Sequence, residues 1–519
     1  MDMPPERFNF ATFLIERNTA RGERVAYRDD TRSLSYGALH DGIRRCAGLL
    51  RTAGLQREQR VLLLMHDNVD WPVAFLGALY AGVVPVAVNT LLTADDYAYM
   101  LQHSRAQAVL TSGALLPVLR EALAKVGDAS EVRQLWVSTP PPELRVDETP
   151  FLAALDAAVP LAAPAETLAD EAAFWLYSSG STGRPKGTVH THGNLWWTGE
   201  LYGKPFLALR ENDIVFSAAK LFFAYGLGNG LTFPLMAGAT TVLMAERPTP
   251  AAVFKRLVEH KPTVFYGVPT LYAGMLASPE LPARSQVALR VCTSAGEALP
   301  REIGERFTAH FGAEILDGIG STEMLHIFLS NRAGEVHYGS TGKPVPGYEL
   351  ELRDEEGRPV AAGEVGDLFI KGPSAALMYW HNREKSRATY QGEWLKSGDK
   401  YSVDADGYYT YAGRSDDMLK VSGQYVSPFE VESALAQHAA VLEAAVIGIA
   451  DAEGLTKTKA FVVLKAGASA SEDELKAFVK SRLTPHKYPR SIEFVPELPK
   501  TATGKIQRFK LREREAGKP

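Results

Sequence analysis

The 519-residue sequence contains little cysteine and no long apolar run. Its two cysteines, Cys46 and Cys292, lie far apart in apolar or small-residue surroundings. Neither has a second thiol or a histidine at ligand spacing, so neither a disulfide framework nor a zinc site is supported, and both thiols are expected to be buried. No run reaches the ~18 apolar residues of a membrane span, and the first residues lack the apolar core of a signal peptide. The sequence therefore favours a soluble, cytoplasmic protein without a membrane partner.

A charge excess of either sign is also missing. Lys+Arg 56 against Asp+Glu 61 gives a net charge of −5, and no basic face is evident. Nucleic acid and anionic membranes are therefore not the expected partners. A hydrophobic fraction of 46% with 23% charged residues is an ordinary globular balance, and a chain of this length is long enough for several domains. This composition favours an enzyme of small molecules or a neutral binding protein.

Apolar runs and helical segments alternate along the N-terminal part of the chain. A strand at Val61–Met65, an amphipathic helix at Val69–Tyr80 and a strand at Val83–Val88 form the first unit. The pattern continues with strands at Thr240–Met244, Thr263–Tyr266, Ala288–Cys292 and Glu314–Leu316, and with helices near Ala251–Glu259, from Pro269 and from Pro300. Such alternation predicts an α/β fold of largely parallel sheets covered by helices, with ligands beyond the carboxyl ends of the strands.

The C-terminal part of the chain has a different sequence pattern from the N-terminal part. Gly339–Tyr411 is rich in turns and short strands, which predicts a β subdomain. Beyond the polar tetrad Arg414–Asp417, a small α+β unit is predicted from a helix at Pro428–Gln437, strands at Ala444–Ile449 and Ala460–Leu464, a helix at Glu472–Leu483 and a strand at Ser491–Val495. We therefore place a domain boundary at the tetrad, between a large domain, residues 1–413, and a small domain, residues 418–519.

The glycine-punctuated loop Tyr177–Gly187 follows an apolar strand candidate. Its glycines let the backbone turn, its serine and threonine hydroxyls can point at one anion, and Lys186 adds positive charge. The spacing is neither that of a Walker loop nor Gly-x-Gly-x-x-Gly. Taken alone, the loop fits a phosphate cradle and a flexible surface loop about equally well.

Two further polar stretches allow both a functional and a structural interpretation. Asp317–Met324 directly follows a strand and offers hydroxyls and the Glu323 carboxylate. These groups suit a nucleotide phosphate with its magnesium ion. Alternatively, the stretch is a turn in which Ser321 and Thr322 cap a helix. The Asp399 carboxylate can accept hydrogen bonds from the hydroxyls of a ribose, or Asp399 can be an aspartate that stabilises a turn.

Two basic residues are equally ambiguous. Arg414 can bind phosphate or form a surface ion pair with its neighbours Asp416 and Asp417. Lys505 lies in the segment Leu498–Arg508, which by composition alone is a solvated basic loop.

Together these stretches resemble the adenylate-forming superfamily of acyl- and aryl-CoA synthetases, over nearly the whole chain and in the same order. The matching motifs are Tyr177–Gly187, Phe222–Gly230, Asp317–Glu323, Gly398-Asp399, Gly413–Val431 and the Lys505 loop. Within the superfamily, Phe222–Gly230, Asp317–Phe328 and Ser415–Ser427 most resemble the benzoate-activating CoA ligases. A carrier-protein-loading adenylating enzyme shares every motif up to the last step and remains an alternative.

The resemblance implies two half-reactions in one cleft, with ATP, Mg²⁺ and coenzyme A as cofactors or co-substrates. Lys505, Thr322 and Glu323 are the implied catalytic residues, and Lys505 meets both the acid and the α-phosphate. The implied nucleotide contacts are Ser178, Ser181, Thr182, Gly183 and Lys186 for the β- and γ-phosphates, Thr322 for the α-phosphate, Glu323 for magnesium, Asp399 and Arg414 for the ribose, and Gly296, Glu297, Asp317, Gly318 and Ile319 for adenine. Many relatives carry an aromatic residue at the position of Ile319, so an aliphatic contact with adenine is expected here.

The resemblance also implies a moving C-terminal domain. Asp416 matches the hinge about which this domain rotates, and Ser422 and Gly423 lie on the face that serves thioester formation with CoA.

The implied acid pocket is small and contains no side chain that would pair a second charge on the substrate. Its lining consists of Ala224, Tyr225, Gly226, Ala295, Gly318, Ile319, Gly320, His326 and Ile327, with Lys505 at the carboxylate. Such a lining suits a planar aryl acid, and benzoate is the first candidate. Because His326 can be structural or can hydrogen-bond a ring substituent, 4-hydroxybenzoate, 2-aminobenzoate and halobenzoates remain open. We expect a monomer or a homodimer.

Overall fold

The structure is a computed structural model that describes residues 3–178, 184–415, 417–421, 424–450, 456–483, 487–500 and 506–516. Up to residue 191 its strands are β1 (Val25–Arg28), β2 (Ser33–Ser35), β3 (Arg60–Leu64), β4 (Val84–Ala87), β5 (Ala106–Ser112), β6 (Gln134–Ser138), β7 (Glu148–Pro150), β8 (Ala172–Ser178) and β9 (Lys186–Thr191). The helices of this part are α1 (Phe10–Arg17), α2 (Tyr36–Thr52), α3 (Asp70–Ala81), α4 (Ala94–Ser104), α5 (Leu116–Val126) and α6 (Phe151–Ala157).

The next segment continues the alternation. Its helices are α7 (His192–Thr198), α8 (Ala224–Leu227), α9 (Phe233–Ala237), α10 (Pro250–Glu259), α11 (Pro269–Ala277) and α12 (Arg301–Phe311). Its strands are β10 (Ile214–Ser217), β11 (Thr240–Val242), β12 (Val264–Gly267), β13 (Val291–Ser294), β14 (Glu314–Gly320), β15 (Ile327–Ser330) and β16 (Lys343–Pro344).

These strands form two large mixed sheets. One has the order β16-β15-β14-β13-β12-β10-β11-β1-β2, and the other is β9-β8-β4-β3-β5-β6-β7 with a further strand, β19 (Met378–Tyr379), added at the β9 edge. The central pairs of both sheets are parallel, whereas β8–β9 and β14–β15, each one strand in from an edge, are antiparallel hairpins. The predicted α/β class with helix-covered, largely parallel sheets is confirmed.

Helix α3 is present as expected, but the prediction that it is amphipathic is wrong. All twelve of its residues are buried, because the helix packs against α1 and α2 on one side and the strands β3 and β4 on the other. An ideal Cβ placed on Gly77 would lie 2.5 Å from the Cβ of Cys46 on α2, so a small residue is required at this helix crossing. A helix that is enclosed on every side needs no polar face.

Both cysteines are free and buried, as predicted. Burial raises the pKa of the Cys46 thiol to about 12 and that of Cys292 higher still, so neither is a thiolate near neutral pH. We therefore assign both to the hydrophobic core.

The turn-rich region forms a separate five-stranded sheet. It contains β17 (Glu349–Arg353), β18 (Gly366–Lys371), β20 (Tyr390–Gln391), β21 (Trp394–Val403) and β22 (Tyr409–Arg414), with helix α13 (Arg383–Thr389) before β20. The sequence interpretation of a β subdomain agrees with this sheet. Asp399, however, lies within strand β21 and not in a turn.

The last part of the chain contains β23 (Leu419–Val421), β24 (Gln424–Val426), α14 (Pro428–Ala436), β25 (Val441–Ala450), β26 (Thr456–Leu464), α15 (Glu472–Lys480), β27 (Ser491–Phe494) and α16 (Arg508–Ala516). Strand β26 pairs antiparallel with β25 and parallel with β27. Val431 and Leu435 of α14 and Leu475 and Val479 of α15 pack with this sheet in one cluster of buried side chains. Among the helices of the described ranges, none is long and apolar enough to cross a membrane.

Candidate active site

The two ends of the predicted phosphate loop lie on the β8–β9 hairpin. Ser178 at the end of β8 is paired in register with Lys186 at the start of β9. This pairing brings a hydroxyl and an ammonium group to the same edge of the sheet. Ser181, Thr182 and Gly183 lie outside the described residues, so their nucleotide contacts stay predictions.

The Glu323 carboxylate meets both ends of this loop. Its Oε1 atom accepts hydrogen bonds from the hydroxyls of Ser178 at 3.5 Å and of Tyr379 at 2.6 Å. The same oxygen lies 3.9 Å from Nζ of Lys186, and both partners of that ion pair are largely buried. Three stretches far apart in sequence therefore converge on one carboxylate oxygen.

Burial weakens the charge of Lys186 only in part. The loss of solvent lowers the pKa of its ammonium, and the nearby Glu323 opposes that shift. The ammonium also lies 4.3 Å from the centroid of the Tyr379 ring, in cation–π contact. Lys186 is thus a cation held beside Glu323, and such a cation can bind an anion like phosphate.

The backbone around Thr322 and Glu323 is fixed by a histidine that the sequence analysis missed. Nδ1 of His190 accepts from the Asn194 side chain at 2.9 Å, so Nε2 carries the proton and donates to the Thr322 carbonyl at 2.7 Å. Burial lowers the pKa of His190 to about 4, which keeps the ring neutral. The Ala376 amide donates to the Glu323 carbonyl at 2.8 Å. The turn after β14 is therefore held from two sides. It leads directly into β15, so the alternative prediction, a turn in which Ser321 and Thr322 cap a helix, is wrong.

The predicted ribose contacts lie opposite each other on neighbouring strands. Asp399 on β21 pairs in register with Arg414 on β22, and their charged groups are 3.2 Å apart. The alternative prediction, a surface ion pair of Arg414, agrees with its contact with Asp399, and the nucleotide contact of Arg414 stays a prediction. The carboxylate of Asp417 binds Arg512 at 2.9 Å. Asp416 lies outside the described part of the chain.

The predicted adenine contacts gather at the carboxyl ends of the parallel strands β13 and β14. Asp317 on β14 is buried, and its Oδ1 atom has no hydrogen-bond partner among the described residues. Burial raises the pKa of this carboxyl to about 8. Gly296 follows β13 with a φ of +94°, a conformation that favours glycine. Glu297, Gly318 and the half-buried Ile319 complete the group.

The residues of the predicted acid pocket come from helix α8 and from the region of the strands β13, β14 and β15. Ala224, Tyr225 and Gly226 lie on helix α8, Ala295 follows β13, Gly318 and Gly320 belong to β14, His326 directly precedes β15, and Ile327 begins it. The Tyr225 hydroxyl lies 2.5 Å from Oγ1 of Thr293. An ideal Cβ on Gly226 would lie 2.0 Å from the Lys220 carbonyl oxygen, so no side chain fits there.

His326 is neutral and enclosed by aromatic rings. Its Nε2 atom lies 3.3 Å from the Tyr225 carbonyl, which can only accept, so this nitrogen carries the proton. It also faces Oδ1 of Asn229 at 3.2 Å, on the π-helical turn that follows α8. Burial lowers the pKa of His326 to about 3. Its other nitrogen, Nδ1, is buried without a partner in the described ranges and is an acceptor.

This arrangement separates two chemistries along one cleft. At the turn Thr322–Glu323, fixed charges and hydroxyls can bind phosphates and a hard cation such as Mg²⁺. At the half-buried Tyr225 and the buried His326, the side chains are neutral, which suits an uncharged ring. The site can therefore bring a nucleotide phosphate against the carboxylate of an aryl acid.

Comparison with known proteins defines the class. The sequence profile of AMP-binding enzymes matches residues 14–380, and that of the AMP-binding enzyme C-terminal domain matches residues 430–505. The chain therefore belongs to the AMP-binding enzyme family, and the resemblance found in its motifs is confirmed.

Individual relatives match over almost the whole chain. A benzoate–CoA ligase of Thauera aromatica is 59% identical over 98% of this chain and 96% of its own length. A 4-hydroxybenzoate–CoA/benzoate–CoA ligase of Rhodopseudomonas palustris is 48% identical over 99% of this chain and 96% of its own. The crystal structure of a benzoate CoA ligase from Burkholderia xenovorans LB400 superposes with a TM-score of 0.92 at 66% identity, covering 97% of this chain and 100% of the other.

Proposed function

We propose that this enzyme joins benzoate to coenzyme A at the expense of ATP. A benzoate oxygen attacks the α-phosphorus of MgATP, an oxygen–phosphorus bond forms and diphosphate leaves. The sulfur of CoA then attacks the acyl carbon of benzoyl-AMP, AMP leaves and the thiol proton is released. The observation that carries the proposal is the neutral pocket of Tyr225 and His326 beside the charged turn of Glu323. The high identity to two ligases named for benzoate supports it.

Mg²⁺ fits the phosphate side of this cleft. The ion prefers oxygen ligands and is usually held by one or two carboxylates together with substrate phosphates. Glu323 supplies such a carboxylate next to Lys186. When bound with ATP, the ion neutralises charge on the phosphates. Ser178 and Lys186 would bind the outer phosphates, Asp399 and Arg414 the ribose, and Lys505 the reacting carboxylate with the α-phosphate.

The structure offers support for a hinge at Asp416. On its N-terminal side, the hydroxyl of Ser415 donates to Asp367 of the β subdomain at 2.7 Å. On its C-terminal side, Asp417 binds Arg512 of α16 at 2.9 Å. The two residues that flank Asp416 are thus tied to different units, and the two matched family profiles end and begin on either side of them. We propose the predicted domains, residues 1–413 and 418–519, with the pivot at residues 414–417.

One assay tests the proposed activity. With ATP, Mg²⁺ and benzoate, we expect diphosphate and enzyme-bound benzoyl-AMP, and addition of CoA should release AMP and benzoyl-CoA with turnover. Release of AMP with an acyl-carrier protein but not with free CoA would instead support a carrier-loading enzyme. Formation of ADP would contradict the proposal.

A second acid deserves the same assay, because the R. palustris relative is named for both 4-hydroxybenzoate and benzoate. The unpartnered Nδ1 of His326 is an acceptor that can receive a hydrogen bond from a ring hydroxyl or amino group. Comparing kcat/KM for benzoate, 4-hydroxybenzoate and 2-aminobenzoate ranks these substrates.

A further inference from the structure

We infer that Tyr379 is a positioning residue that orients the Glu323 carboxylate toward the magnesium ion of MgATP. The inference rests on the proposed function, which assigns Glu323 to that ion. None of the predicted site motifs contains Tyr379, and its role follows from the contacts of its hydroxyl and of its ring.

The hydroxyl fixes one oxygen of the carboxylate and leaves the other for a ligand. Because a carboxylate only accepts, Tyr379 donates to Oε1 of Glu323, at 2.6 Å. The contacts of Ser178 and Lys186 fall on the same oxygen. Among the described residues no hydrogen bond reaches Oε2.

The backbone of Tyr379 connects this contact to the phosphate loop. Strand β19 pairs antiparallel with β9, the strand that leaves the loop, with Tyr379 opposite Thr188. The amide of Trp380 donates to the Gly187 carbonyl at 2.7 Å, and the amide of Ala376 donates to the Glu323 carbonyl at 2.8 Å. One short segment thus sets the distance between the loop and the carboxylate.

The ring has a second, separable role. The Lys186 ammonium lies 4.3 Å from its centroid, so the aromatic face supports the cation that faces the phosphates. Removal of the hydroxyl alone should weaken binding of ATP with its metal ion, whereas removal of the ring should also weaken binding of ATP without metal.

The neighbouring Tyr390 provides a matched control. Its ring lies 5.5 Å from that of Tyr379, and its buried hydroxyl has no hydrogen-bond partner in the described part of the chain. A Tyr390→Phe variant therefore removes the same chemical group from the same surroundings without touching Glu323.

Calorimetric binding of MgATP and of ATP in EDTA tests the inference. We expect Tyr379→Phe to weaken MgATP about tenfold and to leave metal-free ATP unchanged, since a hydrogen bond to a charged group is lost. The Mg²⁺ concentration for half-maximal diphosphate release should rise in parallel. Tyr390→Phe should match the wild type in every measurement. Tyr379→Leu should weaken both forms of ATP, because it removes the ring as well.

Two outcomes would overturn the inference. The first is unchanged MgATP affinity in Tyr379→Phe, and the second is an equal loss with and without metal. Thermal unfolding of the free variants shows whether each is folded before binding is compared. Failure of the wild-type protein to form benzoyl-AMP would reject the proposed function instead. Nucleotide binding and benzoyl-AMP formation are measured separately, so the two failures can be told apart.

Discussion

The β14–β15 hairpin carries two carboxyl groups in opposite settings. Glu323, on its turn, is contacted by the Lys186 ammonium and by two hydroxyls. Asp317, on the strand that leads to the turn, is buried with an unpartnered oxygen, and burial raises its pKa to about 8. The difference shows that one hairpin can hold a fixed negative charge at its turn and a largely neutral carboxyl group on its strand.

The partners of the hairpin explain the contrast. The β8–β9 strands, which bring Lys186 and His190, pack against the turn and supply donors. Helix α8 and its π-helical extension pack against the start of β15 and supply Tyr225 and Asn229, which bind the neutral His326. The following variants would break or sharpen this division between a charged and a neutral side.

Loss of Lys505 should have the largest effect. In the proposed reaction its ammonium neutralises the acid and the α-phosphate, so Lys505→Ala should slow benzoyl-AMP formation about 10²–10³-fold. Acyl transfer from preformed benzoyl-AMP to CoA should change little. Rapid-quench measurement of diphosphate release separates the steps. Lys500→Ala, which removes a lysine paired with Glu443 in the same segment, should retain the wild-type rate.

Neutralisation of the turn carboxylate should be the next largest effect. Glu323→Gln removes the charge that Lys186 and the magnesium ion face, and we expect about a 10–100-fold lower rate of diphosphate release with a higher Mg²⁺ requirement. Substitution of the exposed Glu305, on helix α12, by Gln serves as the control. Equal Mg²⁺ dependence in both variants would contradict the assignment of Glu323 to the metal site.

The hinge should affect one half-reaction more than the other. Asp416→Pro restricts a backbone dihedral at the proposed pivot, so thioester formation should slow about tenfold more than adenylation. Pyrophosphate exchange and acyl transfer from preformed benzoyl-AMP measure the two steps. Equal losses in both would reject the hinge.

On the neutral side, His326→Leu should change substrate choice more than rate. Leucine lacks the acceptor Nδ1, so kcat/KM for 2-aminobenzoate relative to benzoate should fall about tenfold. Comparison of the two acids with wild type and variant gives the ratio directly. An unchanged ratio would mean that the histidine is structural only.

The smallest effect concerns stability. Burial raises the pKa of Asp317 to about 8 in the fold, above the 3.8 of an exposed carboxyl, so its contribution to stability is present at low pH and is lost as the pH rises from about 4 to about 8. Asp317→Asn should therefore stabilise the free protein by about 1–2 kcal/mol near neutral pH, with less gain near pH 4. Urea unfolding across this range tests the sign. A gain that is independent of pH would contradict the buried-carboxyl assignment.

The sequence predicted the positions of helices and strands better than it predicted which parts of the chain pack around them. The strands and helices of residues 428–494 were placed within a few residues of the observed bounds, because each has a clear pattern and caps. The buried sides of α3 were not predicted, since periodicity does not show that a helix is enclosed by two layers.

The site motifs were found, but the residues that hold them were not. Lys186, Glu323, Asp399 and Arg414 stand in motifs that resemble a family, and the structure brings them together in pairs. His190 and Tyr379 contact these motifs from other stretches. The sequence signal for His190 is its position on an apolar strand after the phosphate loop. Tyr379 has no such signal, because the pairing of its strand β19 with β9 cannot be inferred from one sequence.

An isotope-transfer measurement tests the central claim most directly. Benzoate labelled with ¹⁸O in its carboxylate is converted with ATP, Mg²⁺ and CoA, and the AMP and diphosphate are analysed by mass spectrometry. Attack of the benzoate oxygen on the α-phosphorus predicts one labelled oxygen in AMP and none in diphosphate. Label absent from AMP, or recovered in orthophosphate, would contradict an acyl-adenylate intermediate in this cleft.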